Sequence, residues 1–382
     1  MYRINKLCVF MLFFIAGVSV FAQHDPISSF SMPSARSGGI GGTHITNTDG
    51  VGALLYNPAG LAGRKETSVF ETSLSVYGPF DKLSGLYKTA MDLAGGESSD
   101  ISGLGQIFDG QGRAVFGLNM GGPISIAVIR KGFGVGLFSN ENAVVAVNNG
   151  EAKIMAQFNF QLNVGYGFKI LEIGKNTLNI GIAGKGFYRM TYDFGVSTAD
   201  FSFIDGFPLT GTYGVGLDLG VMYQYNKNFS IAVACTDLLS FARVSDISGI
   251  SSFTKELAGD NSLSFDPYNT SVYRDLNVGM HYTFNNTGKV FTLAVMADYH
   301  DILDLFSDLP RNPILNVGLG AEIGLWKRLF IRAGVADALP AVGIGVDLWV
   351  FKLDFAVHGK ELGLDPGVQP VYAMDLSMAF RW

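Results

Sequence analysis

Residues 156–170 read AQFNFQLNVGYGFKI, and the two parities of this stretch have different chemistry. Ala156, Phe158, Phe160, Leu162, Val164, Tyr166, Phe168 and Ile170 fall on one, while Gln157, Asn159, Gln161, Asn163, Gly165, Gly167 and Lys169 fall on the other. Successive side chains of a strand point to opposite faces, so this period of two sorts the residues cleanly; a helix would scatter them around its axis. The run is also long enough to cross a bilayer as a tilted strand, which takes about ten residues.

The same alternation recurs in 276–285, where Leu276, Val278, Met280, Tyr282 and Phe284 alternate with Asn277, Gly279, His281, Thr283 and Asn285, and again in 289–300, 315–325 and 340–348. Reading strands wherever it holds gives 66–78, 123–130, 132–147, 152–170, 177–195, 211–225, 228–236, 274–285, 289–300, 313–325, 328–336, 340–349, 351–359 and 370–382. Residues 104–121 could hold a further strand, and Ser139-Asn140-Glu141-Asn142 is either a turn or a polar interruption within one strand. The links alternate between short ones such as Tyr225–Asn228 and long ones such as 79–122, 196–210, 237–273, 301–312 and 360–369. That alternation suits a barrel with short periplasmic turns and longer outer loops, and puts both termini on the periplasmic side.

Composition agrees. The chain is 48% hydrophobic and only 16% charged, with 49 Gly and 30 Phe, yet after residue 22 no apolar run is long enough for a membrane-spanning helix. Backbone groups in lipid can then be satisfied only by a closed barrel. The fold expected is all-β: a transmembrane antiparallel β-barrel of about fourteen strands. Residues 1–22 read as a secretory signal, with Arg3 and Lys6 ahead of an apolar core that ends at Val20-Phe21-Ala22. Its removal would leave Cys235 as the lone cysteine, so no disulfide is expected. The net charge of −6 and the lack of any basic stripe argue against a nucleic-acid partner.

Residues 23–65 lack a strand period. Glycines at 38, 39, 41, 42, 50 and 52 permit tight turns, and Asn57-Pro58 favours extended or turn geometry at Asn57. Leu54, Leu55 and Tyr56 form an apolar cluster suited to a ligand or a wall. A fourteen-stranded barrel has a lumen to fill, so this segment reads as a hatch plugging it, with residues 66–382 as the barrel. The stretch Ser34–Gly63, SARSGGIGGTHITNTDGVGALLYNPAGLAG, resembles the N-terminal hatch of the FadL family of outer-membrane transporters of long-chain fatty acids and other hydrophobic compounds, with the N-P-A-G motif on Asn57, Pro58, Ala59 and Gly60. Similar wording occurs in PorV-like relatives that serve secretion. The last strand, ending Phe380-Arg381-Trp382, looks like the signal read by barrel-assembly machinery.

The resemblance implies an integral protein of the bacterial outer membrane, in contact with its lipid, that takes a hydrophobic small molecule such as a fatty acid. It also implies a side exit at a kink in the third strand, here Ser139 to Asn142, and a capture groove on outer-loop helices, for which Lys82 to Ala94 is the candidate. The alternatives are a docking platform for secreted proteins and a surface-exposed structural or adhesive barrel.

Parity places Lys185, Arg189, Asp218, His281, Asp298, His300, Glu322, Arg332, Asp347, Lys352, Asp354, His358, Asp375 and Arg381 on the lumen face, as a salt-bridged, hydrated interior requires. Lys185, Arg189 and Arg332 are the candidates to meet a ligand carboxylate. His281, His300, Asp298 and Asp354 are the acid/base types present, but there is no G-x-S-x-G elbow and no H-E-x-x-H, and the histidines lack metal-ligand spacing. No catalytic residue, metal or cofactor is therefore expected.

Overall fold

The computed structural model describes residues 25–46, 48, 51–62, 67–80, 112–148, 151–197, 209–226, 228–246, 267–284 and 290–382. The signal and the Lys82–Ala94 helix expected from the sequence lie outside the described residues. Fifteen strands form one antiparallel sheet: β1 (Thr67–Gly78), β2 (Arg113–Arg130), β3 (Phe133–Asn148), β4 (Glu151–Ile173), β5 (Asn176–Ser197), β6 (Leu209–Tyr225), β7 (Phe229–Asp246), β8 (Tyr268–Thr270), β9 (Asp275–Thr283), β10 (Phe291–Tyr299), β11 (Val317–Leu325), β12 (Leu329–Ala336), β13 (Leu339–Asp347), β14 (Phe351–Glu361) and β15 (Pro370–Arg381). Sequential neighbours pair, β1 pairs β15, and β6 pairs β7, which closes the ring. β9 pairs the first half of β7 and β8 pairs its second half, so these two short strands share one place in the wall. Fifteen strands thus make a fourteen-place barrel.

The wall sorts its residues as the parity demands. In β4, Leu162, Val164, Tyr166, Phe168 and Ile170 are exposed on the outside, whereas Gln161 and Asn163 are buried inside. An apolar outer band with every backbone group laddered is the arrangement a bilayer accepts. Tight turns close one end of the barrel. Trp326 and Lys327 both take left-handed φ, 49° and 59°, as a two-residue hairpin turn that matches strand twist requires. Trp326, Trp349 and Trp382 are exposed at this same end, where an aromatic girdle meets the interface.

Three boundaries differ from the sequence expectation. β2 starts at Arg113, so residues 113–121 are the first half of the second strand, and the first outer link shrinks to 79–112. β7 runs on to Asp246, so 237–246 is wall and not loop. Both errors have one cause. A bulge interrupts each strand, at Gly122–Ile124 and at Thr236–Leu238, and an inserted residue breaks the period of two. The third difference is 313–316, a 3₁₀ turn in which Asn312 accepts a hydrogen bond from the Ile314 N–H, with Pro313 at the first position of the turn.

The described residues of 25–62 pack against the inner side of the ring. α1 (Ala35–Gly39) packs on β12 to β15, α2 (Gly52–Leu55) on β3 and β4, and a 3₁₀ turn (Pro58–Leu61) on β4 to β6, so the segment touches opposite walls. Met32, Val51, Leu54, Leu55 and Leu61 bury together with Val69, Ala127, Ile129 and Phe138 of the strands.

Candidate functional site

The seat of residues 25–62 is built from absent side chains. A Cβ on Gly181 would lie 2.0 Å from the carbonyl carbon of Pro58, and one on Gly320 2.2 Å from the Ile40 oxygen. Gly220, Gly318 and Gly334 stand as close to Asn57, Gly41 and Gly41 again. The glycines that alternate through the strands are thus an inner surface on which another backbone rests directly. By contrast, Gly184 and Gly186, on the opposite parity, would place a Cβ in open space.

Asn57 fixes the turn. It is fully buried at 0% exposure and takes extended geometry with φ −151° and ψ 99°, as the following proline favours. Its Oδ1 accepts the Ala59 N–H at 3.1 Å, and its Nδ2 donates to the Ile45 carbonyl at 2.8 Å. One side chain thereby caps the turn and ties it to Ile45 earlier in the segment. Pro58 fills the first position of the turn, where no N–H is needed, and Ala59 is buried against Met222, Ala232 and Ala234. Gly60 sits against Thr48, with its Cβ position 2.0 Å from the Thr48 hydroxyl. Leu54 lies against Gly134, Gly136 and Gly165 of the wall, and its carbonyl accepts from Asn163 Nδ2 at 2.8 Å. Tyr56 donates to the Met32 carbonyl at 2.9 Å, and burial raises its phenol well above the usual range, so it stays a neutral donor. Leu55 and Tyr56 line a cavity of about 180 Å³ shared with Arg36, Arg332 and Asp354.

Buried charges tie this segment to the wall. Arg36 meets Glu322 at 3.0 Å; Glu322 also meets Arg332 at 2.7 Å; Arg332 reaches Asp354 at 2.7 Å, and Asp354 takes Lys352 at 3.1 Å. Lys185 is held between Asp218 at 2.8 Å and Asp237 at 2.9 Å. Of the three cations expected to face a ligand, Lys185 and Arg332 are thus paired with carboxylates. Arg189 has neutral partners, Asn159 and the hydroxyl and carbonyl of Ser28, the last two at 3.2 and 2.8 Å.

Two of the interruptions in the backbone ladder bear on the site. Ser139, Asn140, Glu141 and Asn142 belong to β3 and pair with β4 without a break. The irregularity faces them across the other edge, where Gly122–Ile124 of β2 leave the register. Side chains bridge that gap: Ile124 N–H donates to Ser139 Oγ at 3.3 Å, and Asn140 Nδ2 to the Met120 carbonyl at 3.3 Å.

The second seam lies beside β7, and nothing in the sequence reading pointed to it. Asp237, at φ 52°, bulges inward to Lys185, and its N–H donates to Asp218 at 2.7 Å. Opposite, residues 271–273 turn away from β7 and pair with Ile27, whose N–H donates to the Ser271 carbonyl at 2.9 Å and whose carbonyl accepts the Tyr273 N–H at 2.7 Å. Ser240 links the two, accepting the Val272 N–H at 2.9 Å. A mostly apolar cavity of about 750 Å³ opens here, lined by Leu217, Leu239, Phe241, Val272, Tyr273 and Leu303. Phe241 belongs to the exposed outer wall, so the cavity reaches the side of the barrel as well as its interior. Val272 also borders the smaller space around Phe30, Phe187 and Arg189.

No family model and no curated protein matches this chain. Solved structures do. A Pseudomonas aeruginosa FadL homologue is 10% identical, with a TM-score of 0.49 over 93% of this chain and 99% of that one. The Pseudomonas putida toluene transporter TodX is 12% identical, with a TM-score of 0.49 over 94% and 99%. The CymD monoaromatic hydrocarbon channel is 10% identical, with a TM-score of 0.49 over 93% and 98%.

Proposed function

We propose that this protein is a passive outer-membrane channel for hydrophobic small molecules, with residues 23–65 as its hatch. The carrying observation is the 750 Å³ cavity at the β7 seam, mostly apolar, open at the side of the wall, with Pro26 in its lining beside the Ile27 pairing. A pocket of this size and lining suits an acyl chain or a hydrocarbon ring. Arg189 lies just beyond it, and its two terminal nitrogens bond Ser28, so withdrawal of Ser28 would free that end of the guanidinium for a ligand carboxylate, with Asp237 competing nearby. Lys185 and Arg332 would act on a ligand only after releasing carboxylates, and Leu54, Leu55 and Tyr56 after the hatch shifts. Ser139 to Asn142 would form the second side opening, with Ser139 at the point where the Gly122–Ile124 bulge interrupts the ladder against β2. Both chain ends would face the periplasm, and the aromatic C-terminal strand would be read by the assembly machinery.

The test is to purify the mature chain in mild detergent and examine it by native mass spectrometry and lipid extraction, then measure uptake of a bound amphiphile in proteoliposomes. A stoichiometric fatty acid or comparable amphiphile supports the channel. A barrel without apolar ligand that co-purifies with a secreted protein would overturn it in favour of a docking platform.

A further inference from the structure

His44, Asp298 and His300 each bring one potential ligand atom to a common point, all within 4.8 Å of one another. They come from two parts of the chain. Asp298 ends the inward parity of β10, and His300 lies two residues on, just past the strand. His44 follows the left-handed pair Gly41-Gly42, with φ 68° and 81°, in the segment inside the ring. The wall and its enclosed segment therefore share the cluster.

The local bonding prepares these groups for a cation. His44 Nδ1 lies 2.7 Å from the Gly42 carbonyl, so that nitrogen carries the proton and donates, which leaves the Nε2 lone pair available. A ring nitrogen held by a backbone carbonyl is the usual support of a metal-bound histidine. The Asp298 side chain is held by the His44 and Ile45 N–H groups at 2.6 and 2.9 Å, both on Oδ2. Its Oδ1 is buried without a partner, in a residue only 3% exposed, and His300 Nε2 is likewise buried without one. The His44 and His300 rings stack 5.1 Å apart and 15° from parallel. Two unpartnered polar atoms in one small cluster call for an explanation, since buried polar groups are otherwise bonded.

We propose that His44, Asp298 and His300 form a binding site for a divalent transition-metal ion of the zinc class. Two imidazoles and one carboxylate suit such an ion, with a fourth position left for water, whereas calcium or magnesium would call for oxygen ligands throughout. The ion clips His44 of the inner segment to the end of β10. Binding is independent of what the barrel transports, so failure of the channel reading leaves this inference standing.

The experiment uses the full-length folded barrel in detergent, treated with chelator and then titrated with Zn2+ by calorimetry, and with Co2+ by visible absorption. The expected result is one Zn2+ per chain with micromolar or tighter affinity and a Co2+ spectrum of low coordination number. His44→Ala, which lies outside the wall, and His300→Gln should each weaken binding by tenfold or more while the barrel keeps its heat-modifiable migration. No Zn2+ binding by the parent protein, or equal binding by the parent and both variants, would overturn the proposal.

Discussion

Replacing Asn57 with Ala isolates the tie between the inner segment and itself. The substitution removes two hydrogen bonds at a side chain with no exposure, and leaves the Ile45 carbonyl and the Ala59 N–H without those partners. A lost cap costs roughly 0.5–2 kcal/mol and an orphaned buried carbonyl about 1–3 kcal/mol. Taking about 2–4 kcal/mol together, the balance between seated and unseated segment shifts roughly 30- to 700-fold, at about 1.4 kcal/mol per tenfold. The wall loses no hydrogen bond, because both partners of the Asn57 side chain lie in the inner segment. Amide hydrogen exchange of the peptide 51–62 reads that balance directly, since the Leu54, Tyr56 and Ala62 N–H groups bond carbonyls of the segment itself. Their exchange should accelerate by that factor while strand amides keep their protection, and conductance in planar bilayers should rise. Asn57→Asp should fall between the two, because it keeps the acceptor for Ala59 but sets a carboxylate against the Ile45 carbonyl. Unchanged exchange in this peptide, or equal acceleration throughout the barrel, would refute the reasoning.

Other substitutions probe the remaining contacts. Gly181→Val should unseat the 3₁₀ turn and raise conductance, since even its Cβ would lie 2.0 Å from Pro58; Gly184→Val, which meets nothing, should leave conductance unchanged. Arg332→Ala should cost roughly 3–5 kcal/mol, because it leaves Glu322 and Asp354 buried with less compensation; the midpoint of urea unfolding in detergent should fall, whereas Lys352→Ala should shift it far less. Leu239→Trp should narrow the 750 Å³ cavity and reduce uptake of an apolar probe in proteoliposomes, with the amides of 51–62 still protected; unchanged uptake would place the route elsewhere.

The period of two in residues 156–170 and its repetitions determined that this chain is a closed barrel, because alternation and backbone satisfaction in lipid leave no other solution. Asn57-Pro58 likewise announced its own geometry, since both effects act within three residues. Where a bulge inserts residues, at Gly122–Ile124 and Thr236–Leu238, the period fails and the strand became invisible beyond it. The β7 seam could not be read for a further reason: residues 271–273 trade a neighbouring strand for Ile27, a partner about 245 residues away. Parity told which cations face inward, but not that Lys185 and Arg332 would find carboxylates there while Arg189 finds a serine. The His44, Asp298 and His300 cluster shows the same division. Asp298 and His300 share a parity that sequence displays, whereas His44 reaches them only because the ring folds around its own N-terminal segment, and side chains that meet across a lumen leave no spacing in the chain.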